Sequence, residues 1–220
     1  MRHGRARSTW FVTHASAAIE RLRQEPDLFE LGLHPNFLPG STHGNTPAEV
    51  MAHTLAVAPE AESVRTHGLA QSGPILSAIM NAGISRDVSL FLPDMPHLRP
   101  FEFRLGGNSL WRIPYCWSDD YEMEKVTPSW QIAPLLKWEG LKVLNFHPIH
   151  LYFNASNPQY YQALKERAPK LNELTPDIAE SFIQKGPGVQ SFFREMVEHL
   201  GSSGESKRIK DIQTTGVTSR

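Results

Sequence analysis

The sequence predicts an α/β protein built on a mainly parallel sheet, and three observations carry that expectation. Short β-branched and aromatic runs alternate with capped helical segments along most of the 220 residues. The composition is that of a globular chain, 40% hydrophobic and 20% charged. Titratable side chains, finally, gather where the strands are expected to end. With 22 Lys and Arg against 23 Asp and Glu, the net charge is −1, which argues against a nucleic-acid partner. The single cysteine, Cys116, rules out an internal disulfide and reads as a small buried apolar group. No run approaches the ~18–20 apolar residues that span a bilayer, and the basic start leads to no secretory signal, so a cytoplasmic protein is expected.

Thr9-Trp10-Phe11-Val12-Thr13 reads as the first strand, after which Ser16 caps a helix that must stop before Pro26. Phe29 to Leu33 alternates with period two and runs into His34-Pro35-Asn36. Thr46-Pro47-Ala48-Glu49 is a capping box opening a helix toward Val57. A third strand is expected at 63–67, a helix at 74–81 stopped by Gly83, and a fourth strand at 88–92. A long Pro/Gly-rich stretch then leads to a fifth strand at 110–114, a helical stretch at 132–138 and a sixth strand at 142–146. Helices are expected at 160–167, 176–184 and 189–200, the last with an apolar stripe of Val189, Phe192, Phe193, Met196, Val197 and Leu200. Residues 1–200 thus form one domain. Residues 201–220, rich in Gly, Ser, Thr and charge, read as a mobile tail.

Parallel strands present their carboxyl ends on one rim, the side that carries the chemistry in barrels. His34 ends the second strand, where an imidazole is either a metal ligand or bonded to a carbonyl in a turn. His43 lies on the loop that follows. Arg65 and His67, two apart, share one strand face; a buried arginine there needs a carboxylate or an anionic ligand. Asp119 and Asp120 either orient Arg65 or a histidine, or face water as turn residues. Trp117 is a sugar platform or a core residue. His147 ends the most apolar strand, placed to donate a proton, with His150 three residues on.

Taken in order, five segments resemble the motifs of one family. They are Thr9 to Thr13, Phe29-Glu30-Leu31-Gly32-Leu33-His34, Val64-Arg65-Thr66-His67-Gly68, Ile113 to Asp120, and Leu144-Asn145-Phe146-His147-Pro148. The family is that of the polysaccharide deacetylases, the NodB-homology carbohydrate esterases, especially the branch found with surface-polysaccharide biosynthesis. The resemblance covers about residues 9–155. It implies a distorted (β/α)7 barrel with C-terminal helices, a divalent ion of the Zn²⁺ type, and hydrolysis of N-acetyl groups on a sugar or polysaccharide. Carried onto this sequence, it implies metal ligation by His34 with His67 or His43, and proton donation by His147. Arg65, Asp119 and Asp120 would set electrostatics, with Asn36, Trp117 and His150 facing the sugar.

Three departures qualify the resemblance. No acidic pair precedes Trp10, so the barrel is expected to lack its first strand and activity to be impaired. The usual second metal histidine falls on Leu38. His67 stands where proline is common. The alternative is a non-catalytic carbohydrate-binding or assembly protein on the same scaffold.

Overall fold

The computed structural model describes residues 5–169 and 173–214. Strand β1 (Ser8–Val12) pairs in parallel with β2 (Phe29–Leu33), which is buried along its whole length. Next come β3 (Ser63–Val64), β4 (Arg86–Asp87), β5 (Phe101–Leu105) and β6 (Asn108–Arg112). The sheet order is β1-β2-β3-β4-β6-β5, parallel throughout except for the β5–β6 hairpin at its end. A second, two-stranded parallel sheet pairs β7 (Trp117–Ser118) with β8 (Leu144–Asn145).

Single backbone pairings link the two sheets. Phe91 bridges Tyr115 in parallel, the Tyr115 N–H donates to Leu90 O at 3.0 Å, and the Cys116 N–H donates to Val143 O at 3.0 Å. Parallel order therefore passes from β4 through residues 88–92 and 113–118 to β8. The mostly parallel α/β architecture is as expected. The expected barrel, lacking its first strand, is not confirmed: among the described residues the strands form a six-stranded and a two-stranded sheet, and no ladder joins β8 to β1.

Helix starts follow the local code. Ser16 caps α1 (Ala17–Arg23), and Ser72 caps α3 (Gly73–Asn81). α2 (Pro47–Val57) opens on the expected capping box, the Thr46 hydroxyl accepting from the Glu49 N–H while the Glu49 carboxylate accepts from the Thr46 N–H, both at 3.2 Å. Met51 and Ile79 of these helices pack on Leu31, Leu33, Val64 and Leu110 of the sheet. Each side chain so buried contributes roughly 1.5–3 kcal/mol. A second core forms where α9 (Val189–Ser203) lays Phe192 and Met196 against Trp117, Ile132 and Leu135.

Gly32 sits where β2 passes closest to its neighbours. A Cβ built there meets the Phe11 ring and Ser63 Oγ at 2.7 Å. Gly32→Ala is therefore expected to destabilise by about 1–3 kcal/mol, as overpacking does. Urea unfolding checks this, since the midpoint must fall while the slope is kept.

Several local expectations are corrected. The fourth strand is laddered at Arg86–Asp87, and of the expected 88–92 Phe91 forms a parallel bridge to Tyr115; the Asp87 carboxylate is buried against Arg112 with Oδ2 2.6 Å from Nε. The Pro/Gly-rich stretch contains β5 and a tight two-residue turn, with Gly106 and Gly107 at φ 58° and 83°. Short helices, α4 (Asp119–Glu124) and α6 (Pro148–Phe153), follow β7 and β8 directly, and α5 (Ala133–Leu136) covers only part of 132–138. The helices expected at 160–167 and 176–184 are α7 (Gln159–Arg167) and α8 (Pro176–Phe182).

The expected tail is also corrected as far as residue 214; residues 215–220 lie outside the described ones. α9 runs on to Ser203, and Ser206, Ile209 and Ile212 are buried. Ile209 and Ile212 share a core with Val88, Ile113 and Tyr115. The segment is pinned to the first two strands. The Arg7 N–H donates to Ser206 Oγ (2.8 Å), the Ile209 N–H to Thr9 Oγ1 (2.8 Å) and the Lys210 N–H to Glu30 Oε2 (2.9 Å). Glu30, 3% exposed, also accepts from Thr9 Oγ1 at 2.7 Å and Ser63 Oγ at 2.8 Å, so its buried carboxylate is well satisfied.

Candidate active site

The parallel register brings His34, Arg65 and His67 together. Past the end of β2 the His34 N–H still donates to Val12 O (3.0 Å); past β3 the Arg65 N–H donates to Leu33 O and the His67 N–H to Pro35 O, both at 2.9 Å. The two imidazoles meet edge to face, with His67 Nδ1 3.4 Å from His34 Nε2. His34 Nδ1 lies 2.5 Å from Arg65 O, and a carbonyl can only accept, so Nδ1 carries the proton and Nε2 keeps a lone pair. Burial, and then the nearby charges of Arg65, His67 and His147, lower the His34 pKa to about 4. At neutral pH this ring is an uncharged donor. His147, which follows β8 of the second sheet, is near enough for its charge to act on this ring.

Asp119 and His147 form the second half. Asp119 is 0% exposed at the start of α4, and its carboxylate faces the first turn of α6. Oδ1 accepts from His147 Nδ1 at 2.6 Å and from the Asp120 N–H at 2.9 Å, while Oδ2 accepts from the His147 N–H at 2.7 Å. His150 Nδ1 stands 3.1 Å from Oδ2, at ion-pair distance but off the hydrogen-bond line. Burial pushes the Asp119 carboxyl up, but the hydrogen bonds from His147 and the charges of His147 and His150 outweigh it and hold the pKa at about 2. For His147, burial lowers the pKa, yet the Asp119 hydrogen bond, with the charges of Asp119 and Asp120, leaves it above its usual value. With Nδ1 held by Asp119, Nε2 is the nitrogen left for chemistry.

Asp119, His147 and His150 are also the one group of three metal-type donors among the described residues, their ligand atoms lying within 4.8 Å of one another. The Asp119 carboxylate, with about four lone-pair sites, already accepts three hydrogen bonds, and the His150 ring nitrogen lies 3.1 Å from it. His34 and His67 offer a second pair of nitrogen atoms. Their 3.4 Å separation matches roughly the spacing of two nitrogens on a tetrahedral ion with ~2.1 Å bonds. The His34–Arg65 carbonyl contact supplies the orienting bond that ligating histidines usually have.

The other expected residues fall elsewhere. Trp117 is a core residue: it is 2% exposed, stacked on Phe192 at 4.4 Å, and its indole N–H donates to Glu122, so it offers no face to a sugar. His150 is 7% exposed and turned to Asp119 rather than outward. His43 accepts the Asn36 N–H at Nδ1 (3.1 Å) and stacks on His53 of α2. The Asn36 side chain accepts from the Leu38 N–H at 3.0 Å, closing the same turn. Asp120 is exposed and accepts from the Ser118 hydroxyl and the Tyr121 N–H. Arg65 is 9% exposed. Among the described residues it meets no carboxylate; its guanidinium lies 5.1 Å over the Tyr115 ring and donates to the phenol oxygen at 3.1 Å, leaving Nε without a partner.

One supporting group escaped the sequence reading. Asp87 Oδ1 accepts from the Ser89 N–H and hydroxyl, and Ser89 Oγ accepts the Thr66 N–H at 2.9 Å. Gln71, bonded to Arg112, donates to Ser89 O at 2.7 Å. This buried network braces the Arg65–His67 backbone from behind. Once β4 is placed at Arg86–Asp87, its end carries a charged group like the other strands.

Comparison with known proteins identifies the family and supports the fold. No curated protein matches the sequence. The structure is similar to a crystal structure from Bordetella bronchiseptica described as a polysaccharide deacetylase involved in O-antigen biosynthesis. The match has 28% identity and a TM-score of 0.73, covering 90% of this chain and 81% of that one. A Mycobacterium smegmatis structure described as a polysaccharide deacetylase shares the fold, with 18% identity and a TM-score of 0.50 over 97% of this chain and 77% of that one. The family model described as WbmS-like polysaccharide deacetylase matches residues 1–165, three quarters of the sequence and both halves of the mouth. On that match, the chain belongs to the WbmS-like polysaccharide deacetylase family.

Proposed function

We propose that the chain hydrolyses N-acetyl groups on a polysaccharide or its sugar precursor, with His147 as proton donor. The observation that supports this most is the Asp119–His147 pair: a buried carboxylate fixes one ring nitrogen, raises the ring's basicity and leaves the other nitrogen free on a side chain that is 36% exposed. Asp119 holds the tautomer and orientation, and His147 Nε2 delivers a proton to the departing sugar amine. Arg65, stacked on Tyr115, keeps the mouth electropositive where negative charge develops on the acetyl oxygen. His34 and His67 would hold a divalent ion of the Zn²⁺ type. When bound there, such an ion polarises the acetyl carbonyl and acidifies water.

The assignment is tested by measuring bound metal and acetate release together. His34→Ala is expected to lose most of its bound divalent metal, and His150→Ala to retain it. His147→Ala is expected to keep the metal and release acetate from an N-acetylated oligosaccharide about 10²–10⁴-fold more slowly. Metal lost from His150→Ala but kept by His34→Ala would move the ion to the Asp119 group. Tight oligosaccharide binding by the unmodified protein, without any acetate release, would support the carbohydrate-binding alternative.

A further inference from the structure

We propose that the protein self-associates through the open edge of β5, as two antiparallel strands related by a two-fold axis at Phe103. Among the described residues β5 ends the sheet, with β6 on one side only. The two-residue Gly106–Gly107 turn makes Leu105 and Asn108 a hydrogen-bonded pair, and the register then alternates, so Phe103–Leu110 and Phe101–Arg112 are hydrogen-bonded as well. The backbone groups of 101, 103 and 105 are thereby used inside the hairpin. Those of Glu102 and Arg104 point outward along the free edge.

The side chains of this strand are matched about its centre. A two-fold axis at Phe103 sets Glu102 opposite Arg104 of the second copy, and Arg104 opposite its Glu102, the arrangement in which both outward N–H and C=O groups are exchanged. It sets Phe101, 44% exposed, opposite Leu105, 36% exposed, and Phe103 beside its own counterpart. Phe103 already packs on the main core, which anchors the strand. Charges usually blunt an edge because like meets like on approach. Here the antiparallel approach brings unlike charges together at both positions, which favours one register and a closed pair rather than a fibre.

So short an edge buries little area, placing the association in the transient class, and sedimentation of the full chain up to about 500 µM is the fitting measurement. The wild type is expected to approach twice its 24.8 kDa mass at the top of that range. Glu102→Pro removes an outward N–H, which an edge strand tolerates, and is expected to keep the wild-type circular dichroism while staying monomeric. Glu102→Arg sets Arg against Arg and is expected to weaken association at least ~10-fold, whereas Glu102→Arg combined with Arg104→Glu restores it. A wild type that is monomeric throughout, or a dimer that survives both Glu102→Pro and Glu102→Arg unchanged, overturns the proposal.

Discussion

Asp119→Asn is expected to slow acetate release by about 10²–10⁴-fold without loss of fold, the range set by general acid catalysis. The isosteric amide keeps the volume but turns a donor toward the N–H groups of His147, so the ring loses both its tautomer and its charge partner. In the wild type the raised His147 pKa keeps the ring protonated to higher pH, and activity should fall as pH rises through that value. In Asp119→Asn the fall moves to lower pH. An unmoved alkaline limb would show that the titrating donor is another group.

Stability carries the same signature with a definite sign. Asp119 is depressed from 3.8 to about 2, so its contribution is present above pH ~4 and lost as pH falls toward 2. His147 is raised above 6.5, so its contribution is present below that value and lost as pH rises through the folded pKa. The stability gap between wild type and Asp119→Asn should therefore be widest between about pH 4 and 6.5. Breaking a fully buried pair costs about 3–5 kcal/mol. His147 retains 36% side-chain exposure, so about 2–3 kcal/mol is expected. Urea midpoints across pH measure the gap, and a flat profile would deny the coupling.

Replacing Ile209 and Ile212 together by alanine is expected to bring the protein near unfolding. Each buried isoleucine truncated to alanine costs about 2–5 kcal/mol, and small domains have only about 5–15 in total. Lys210→Ala is the control: Lys210 reaches Glu30 through its backbone N–H, so its side chain can be removed for less than ~0.5 kcal/mol. A double variant within ~1 kcal/mol of wild type would mean that the segment does not pack where it is placed.

What could be read from the sequence, and what could not, divides along range. His34, Arg65, His67 and His147 were legible as strand ends because parallel pairing carries consecutive strands to one rim whatever their partners. The capping box at Thr46 and the stripe of α9 were legible because their signals are local. Trp117 was not, since whether an indole faces sugar or core depends on Phe192, 75 residues away in sequence. Asp87 escaped because a charged residue in a central strand looks like a loop residue until Arg112 is seen beside it. Asp119 was undecided between water and histidine for the same reason. The segment around Ile209 has only two apolar residues and no periodicity, and its docking rests on backbone N–H groups that composition does not reveal.

The docking of residues 206–212 against β1 and β2 also sets a timetable. Thr9 and Glu30 leave the ribosome 200 and 180 residues before the backbone N–H groups that bond to them. Until then Val88, Ile113 and Tyr115 lack their isoleucine neighbours. The nascent chain must wait with an unfinished interior and a bare first strand, a state that invites chaperone capture. A chain that stopped before Ile209 would keep that state, with every residue of the candidate site encoded and part of its support missing.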